Sequence, residues 1–123
     1  LSGEIGVGKT TFARQLINIF ELKYNIKKSE VISPTFNILF EYELKNFILK
    51  HYDLYRLKNE KEIINLELFE NDEESITVIE WPELIKIKPI NRIDLFFKYA
   101  KNMEQRVLDI KFFGRLKNYE FKI

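Results

Sequence analysis

Apolar positions early in the chain recur at spacings of three and four: Phe12, Leu16, Ile19, Phe20 and Tyr24. That repeat predicts a helix from Thr10 to about Tyr24 with one buried face. The pattern lapses over polar Asn25 to Glu30, which reads as a connector, and Val31-Ile32 then opens an extended piece. Ser33-Pro34 stops it, because a proline ring pushes the residue before it out of helical geometry. Asn37 to Tyr42 and Phe47 to Tyr52 read as strands, and polar Glu43 to Asn46 between them predicts an antiparallel hairpin. Helical spacing returns from Asn59 to Phe69 through Ile63, Leu66 and Phe69. Asn59 is placed to cap its first turn, and Glu62 three residues on is placed to cap in return.

Beyond an acidic loop, Glu70 to Ser75, the β-branched run Ile76-Thr77-Val78-Ile79 predicts a buried strand that ends at Glu80-Trp81-Pro82. Arg92 to Tyr99 and Arg106 to Phe113 alternate loosely and predict two more strands joined through Ala100 to Gln105, with Tyr119 to Ile123 as one further strand. There is no internal repeat, low-complexity tract or linker, so residues 1–123 form a single domain. One helix after the opening segment, then mostly strands with short connections, predicts an α/β core whose sheet is mixed and partly antiparallel.

The opening segment carries the chemistry. Gly3-Glu4-Ile5-Gly6-Val7-Gly8-Lys9-Thr10 fits G-x-x-x-x-G-K-S/T, the phosphate-binding loop, and the predicted helix follows it as that loop requires. Glycines let main-chain N–H groups wrap a phosphate, Lys9 brings a mobile cation to the outer phosphates, and the Thr10 hydroxyl can ligate Mg²⁺. The helix adds the positive end of its dipole. Such a loop is fed by a strand, and Leu1-Ser2 reads as the end of one whose upstream part is missing, so the chain is expected to be an N-terminally truncated fragment.

Bulk properties narrow the picture further. Twenty basic and nineteen acidic residues leave a net charge of +1, which gives no basis for tight nonspecific binding to a polyanion. Cysteine is absent, so disulfides and thiolate metal sites are excluded. No apolar run is long enough for a membrane span and no secretory signal is visible, which makes the cytoplasm the expected location and membrane partners unexpected. Eleven Phe and six Tyr suit a packed core better than a disordered tail.

Hydrolysis of a bound triphosphate needs an acid near the metal and a group to aim water. Glu80, directly after a buried β run, is the stronger candidate, and Asp53 at the end of another predicted strand is the second. Asp53 also suits a turn or helix cap. His51, the single histidine, rules out a multi-histidine metal site and is expected to be a partly exposed strand residue rather than a base. Trp81 can stack on a ligand or simply fill the core. Ser33-Pro34-Thr35-Phe36 could form a rigid turn that senses the terminal phosphate, and Arg56, Arg92 or Arg106 could reach phosphate or sit in solvent. No Asn-Lys-x-Asp segment follows the loop, which favours ATP over GTP.

Four blocks stand in one family's order: Gly3 to Phe12 with Thr10-Thr11 at its centre, Ser33-Pro34-Thr35-Phe36, His51-Tyr52-Asp53-Leu54-Tyr55-Arg56-Leu57, and Ile79-Glu80-Trp81-Pro82-Glu83. By these the sequence closely resembles the TsaE (YjeE) family, ATPases of bacterial tRNA threonylcarbamoyladenosine biosynthesis. The resemblance implies a P-loop NTPase-like three-layer fold and a small ATPase working with TsaB-like and TsaD-like proteins. It would hydrolyse ATP to reset a complex that modifies tRNA, touching tRNA only through that complex. It further implies that Gly3, Glu4, Ile5, Gly6, Val7, Gly8, Lys9, Thr10 and Thr11 hold nucleotide, that Thr10 and Glu80 ligate Mg²⁺, and that Asp53 is a catalytic or switch carboxylate. Thr35 would belong to a nucleotide-sensing loop, Trp81 would be the family's functional tryptophan, and Arg106 an arginine near the nucleotide. Two departures are mild, Val7 for the usual Ala and Glu4 for Asp. The family has a helix and strands before the loop, and a molecule that started at Leu1 without them would be expected to bind nucleotide weakly and expose a sheet edge. The competing readings are a small-molecule kinase and a noncatalytic nucleotide-gated adaptor.

Overall fold

The computed structural model describes residues 1–32, 34, 36–70 and 74–118. The strand expected over Tyr119 to Ile123 lies outside the described residues, as do Ser33 and Thr35. The elements in chain order are β1 (Ser2–Gly3), α1 (Lys9–Lys23), β2 (Leu39–Glu43), β3 (Ile48–Asp53), α2 (Glu60–Asn65), β4 (Ser75–Glu80), β5 (Arg92–Tyr99) and β6 (Arg106–Phe113).

These strands make two three-stranded sheets, ordered β1-β5-β6 and β2-β3-β4. Both are mixed: β1 and β5 run parallel, as do β3 and β4, while β2-β3 and β5-β6 are antiparallel. Leu1 stitches the sheets together, its nitrogen donating to the Ile79 carbonyl at 2.6 Å and its carbonyl accepting from the Trp81 N–H at 3.1 Å. The mixed sheet expected from sequence is thus present in two pieces, narrowed at β1. That strand ends after two residues because Gly3, at φ 137°, turns the chain into the loop.

Helix α1 packs on one face of β3 and β4, where Ala13 and Ile17 meet Leu49 and Val78. Burying an aliphatic side chain the size of Ile17 or Leu49 contributes about 1.5–3 kcal/mol, so this seam anchors the helix behind the loop. The opposite face carries a second cluster, Tyr52, Leu54, Ile63, Leu68 and Ile85, which seats α2. Helix, sheet and helix make the three-layer α/β arrangement.

Three local expectations change. The buried stripe of α1 is Lys9, Ala13, Ile17 and Glu21, flanked by partly buried Leu16, Phe20 and Tyr24. Ile19 is 61% exposed, since it lies about 200° around the helix from Ile17. Val31-Ile32 forms no strand. Finally, α2 stops at Asn65, where turns take over well before Phe69. Its start is as read: Asn59 Oδ1 accepts from the Glu62 N–H at 3.2 Å, and Glu62 Oε2 accepts from the Asn59 N–H at 3.2 Å.

Candidate functional site

The loop between β1 and α1 owes its shape to its glycines. A Cβ on Gly3 would lie 2.5 Å from the Phe97 carbonyl oxygen, and Gly6 and Gly8 take φ values of 76° and 119°. Side chains are strained in all three places. Gly8 is the N-cap of α1 and offers no side chain to cap it, and no acidic residue stands in the first turn. The positive end of the helix is therefore left to whatever anion enters the loop.

Lys9 is the first helical residue and is only 5% exposed. Its ammonium donates to the carbonyls of Gly3 and Glu4 and lies 3.5 Å from the centre of the Trp81 ring, a cation–π contact. Burial pulls its pKa below the ordinary 10.5, a shift that nearby Glu80, Glu83 and Asp53 oppose without cancelling.

The two acids picked out by sequence meet here. β3 and β4 are parallel neighbours with Asp53 opposite Glu80, so both carboxylates emerge at the same strand ends. Glu80 is buried, 2% exposed, and its Oε1 accepts from the Thr10 hydroxyl at 2.7 Å across 70 residues of sequence. Asp53 Oδ1 accepts from the Tyr55 N–H at 3.0 Å, which turns the chain after β3. Trp81 sits at φ 60°, ψ 62°, a left-handed conformation uncommon for a bulky residue, and its ring packs 4.8 Å from that of Tyr55. This strained turn is what lays the indole over Lys9.

A cavity of about 340 Å³ results, lined by Ile5, Gly6, Gly8, Lys9, Thr10 and Thr11 on the loop side and by Asp53, Tyr55, Glu80 and Trp81 opposite. Glu4 and Gly3 border an adjoining recess with Trp81, and Val7 is buried beneath the loop. Arg106 stands behind the loop and not in the cavity: Nε donates to the Val7 carbonyl at 3.1 Å and the guanidinium stacks on Tyr99. It braces the loop from outside. Arg92 is engaged with Asp94 and the Pro89 carbonyl, away from the site.

His51 departs most from the sequence reading. It is fully buried at 0% exposure, and its Nε2 lies 2.7 Å from Glu80 Oε2. Two signals could have found it. Alternation along β3 puts His51 on one face with buried Leu49 and Asp53, and the neighbouring strand is the apolar run that ends in Glu80.

Among the described residues no group of three or more His, Cys, Asp or Glu could hold a metal alone, and no helix is long and apolar enough to cross a membrane. The Thr10 hydroxyl and Glu80 carboxylate do fit Mg²⁺. They are hard oxygen donors, and that ion commonly takes one or two protein oxygens together with substrate phosphates and water.

The family model for Threonylcarbamoyl adenosine biosynthesis protein TsaE matches residues 1–108. The tRNA threonylcarbamoyladenosine biosynthesis protein TsaE of Rickettsia conorii is 44% identical over 86 residues, covering 70% of this chain and 47% of that protein. Its namesake in Borreliella burgdorferi is 39% identical over 103 residues, covering 80% of this chain and 70% of its own. The crystal structure of Bacillus subtilus YdiB superposes with a TM-score of 0.64 at 26% identity, over 94% of this chain and 68% of that one. With 47% and 57% of the Rickettsia conorii and Rickettsia bellii proteins covered, the chain spans about half the length of these curated relatives. The match over residues 1–108, together with the 44% and 39% identity to the Rickettsia conorii and Borreliella burgdorferi proteins, shows that the chain belongs to the TsaE family of tRNA threonylcarbamoyladenosine biosynthesis proteins.

Proposed function

We propose that the chain is the nucleotide-handling part of an ATPase that supports threonylcarbamoyl modification of tRNA, with ATP and Mg²⁺ as its ligands, TsaB-like and TsaD-like proteins as its partners, and the cytoplasm as its location. Contact with tRNA would run through the complex. The observation that carries this reading is the 2.7 Å hydrogen bond between Thr10 and Glu80, which closes the loop against the acid of β4. Charge balance points the same way. One ammonium, Lys9, faces two carboxylates, Asp53 and Glu80, so a triphosphate enters this cavity readily only with a divalent cation to offset the negative charge.

Roles follow from position. Main-chain N–H groups of the loop and the end of α1 bind phosphate, and Lys9 leaves the Gly3 and Glu4 carbonyls to take the outer phosphates. Thr10 and Glu80 would hold the cation, which when bound spreads charge from the transferred phosphoryl oxygens. Asp53, beside Glu80 at the strand ends, orients the attacking water. Trp81 keeps Lys9 in place when no phosphate is present and flanks the nucleotide when one is. Thr35, outside the described residues, retains its proposed sensing role, and Arg106 acts through the Val7 carbonyl.

Phosphate release by the full-length protein, measured alone and with its TsaB-like and TsaD-like partners, tests this. Slow hydrolysis accelerated by the partners is expected. Phosphoryl transfer to an added acceptor would instead indicate a small-molecule kinase, and ATP-gated partner binding without turnover a noncatalytic adaptor.

A further inference from the structure

Among the described residues His51 is a fully buried, chemistry-bearing side chain to which the proposed reaction gives no part. It lies inside β3, flanked in register by Phe40 of β2 and Val78 of β4, and it does not line the cavity, so it cannot touch substrate. It nevertheless spends its one hydrogen bond on the catalytic carboxylate: Nε2 sits 2.7 Å from Glu80 Oε2 while Thr10 holds Oε1. Its other nitrogen, Nδ1, is buried without a hydrogen-bond partner among the described residues. A carboxylate oxygen accepts, so across the 2.7 Å contact the ring Nε2–H donates to Glu80.

A residue needed only to fill this space would be better apolar, since an orphaned buried nitrogen is unfavourable. We infer that His51 is a positioning residue that fixes the rotation of the Glu80 carboxylate, so that Oε1 stays directed at Thr10 and the cation. The inference rests on the ATPase reading above. Without the imidazole, Glu80 keeps only the Thr10 contact, and the carboxylate can turn about its terminal torsion, which is broad and weakly held. An imidazole is suited to the task. It is stiff, with two side-chain torsions, so its ring N–H holds the carboxylate in one orientation.

The test is the Mg²⁺ dependence of binding of a non-hydrolysable ATP analogue to the full-length protein, with thermal melting recorded alongside. His51→Leu should leave affinity in EDTA unchanged and raise the Mg²⁺ concentration for half-maximal tightening by about tenfold or more, the scale typical of losing such a support. His51→Gln, which can still donate to Glu80, should recover most of that shift, whereas His51→Asn, too short to reach, should not. In a Glu80→Gln background His51→Leu should cause no additional shift. If His51→Leu fails to fold, the comparison of His51→Asn with His51→Gln decides. Wild-type Mg²⁺ dependence in His51→Leu and His51→Asn, or an equal loss of affinity in EDTA, would overturn the inference. A wild-type protein that binds the analogue no better with Mg²⁺ would overturn the ATPase reading instead.

Discussion

Lys9→Ala is expected to weaken binding of an Mg²⁺–ATP analogue by about a hundredfold or more while leaving the fold intact. Truncating one partner of a buried charged contact typically costs about 2–5 kcal/mol, and each 1.4 kcal/mol is roughly a factor of ten in affinity. The same change should not harm the empty protein. Burial lowers the Lys9 pKa in the folded state below its unfolded value of 10.5. The folded chain thus binds that proton less readily than the unfolded one, so the ammonium is a liability at all pH values below the lowered pKa. That penalty fades as pH rises from the lowered value toward 10.5. Alanine removes it together with the contacts to the Gly3 and Glu4 carbonyls and the Trp81 ring, so at neutral pH the variant should melt close to the wild-type temperature. Titration calorimetry gives the affinity and a thermal melt gives the stability. Near-normal affinity in the variant would remove Lys9 from the phosphate site.

Glu80→Gln is expected to separate binding from turnover. The amide oxygen can accept from His51 Nε2 while the amide nitrogen donates to the Thr10 hydroxyl oxygen, so the cavity keeps its shape. What disappears is the negative charge beside the cation. The rate of phosphate release in the presence of the partners should fall by about 10²–10³, the usual scale for removing one preorganised electrostatic group. At saturating Mg²⁺ analogue affinity should stay near wild type, while the Mg²⁺ concentration for half-maximal tightening should rise at least as far as in His51→Leu. Hydrolysis at the wild-type rate would show that Glu80 has no part in the chemistry.

Legibility from sequence followed how local each cause was. The loop was readable because its glycines, Lys9 and Thr10 act through contiguous backbone, and α1, the hairpin and the Asn59–Glu62 cap follow short-range rules. Asp53 and Glu80 were found from their places at strand ends, and the parallel register of β3 and β4 brings them side by side. Alternation along β3 groups His51 with Leu49 and Asp53, but that this face is fully covered depends on β2, β4 and α1, which are distant in sequence. Ile19 was assigned to the buried face because an apolar residue at helical spacing looks the same on either side of the stripe. Arg106 is one of three arginines that sequence allows near phosphate and the one that the resemblance puts by the nucleotide, and its contact is with the Val7 carbonyl behind the loop. The split of the sheet at β1 was equally hidden, since it depends on Leu1 bonding to Ile79 and Trp81 across the whole fold.

A crystal structure of the full-length protein with Mg²⁺ and a non-hydrolysable ATP analogue bears most directly on the phosphate site. The expected result is electron density for the phosphates against the main-chain N–H groups between Gly3 and Thr10, with the cation on the Thr10 hydroxyl beside Glu80. An empty loop, with the analogue lodged elsewhere such as the 420 Å³ recess between Ile85 and Arg92, would contradict it.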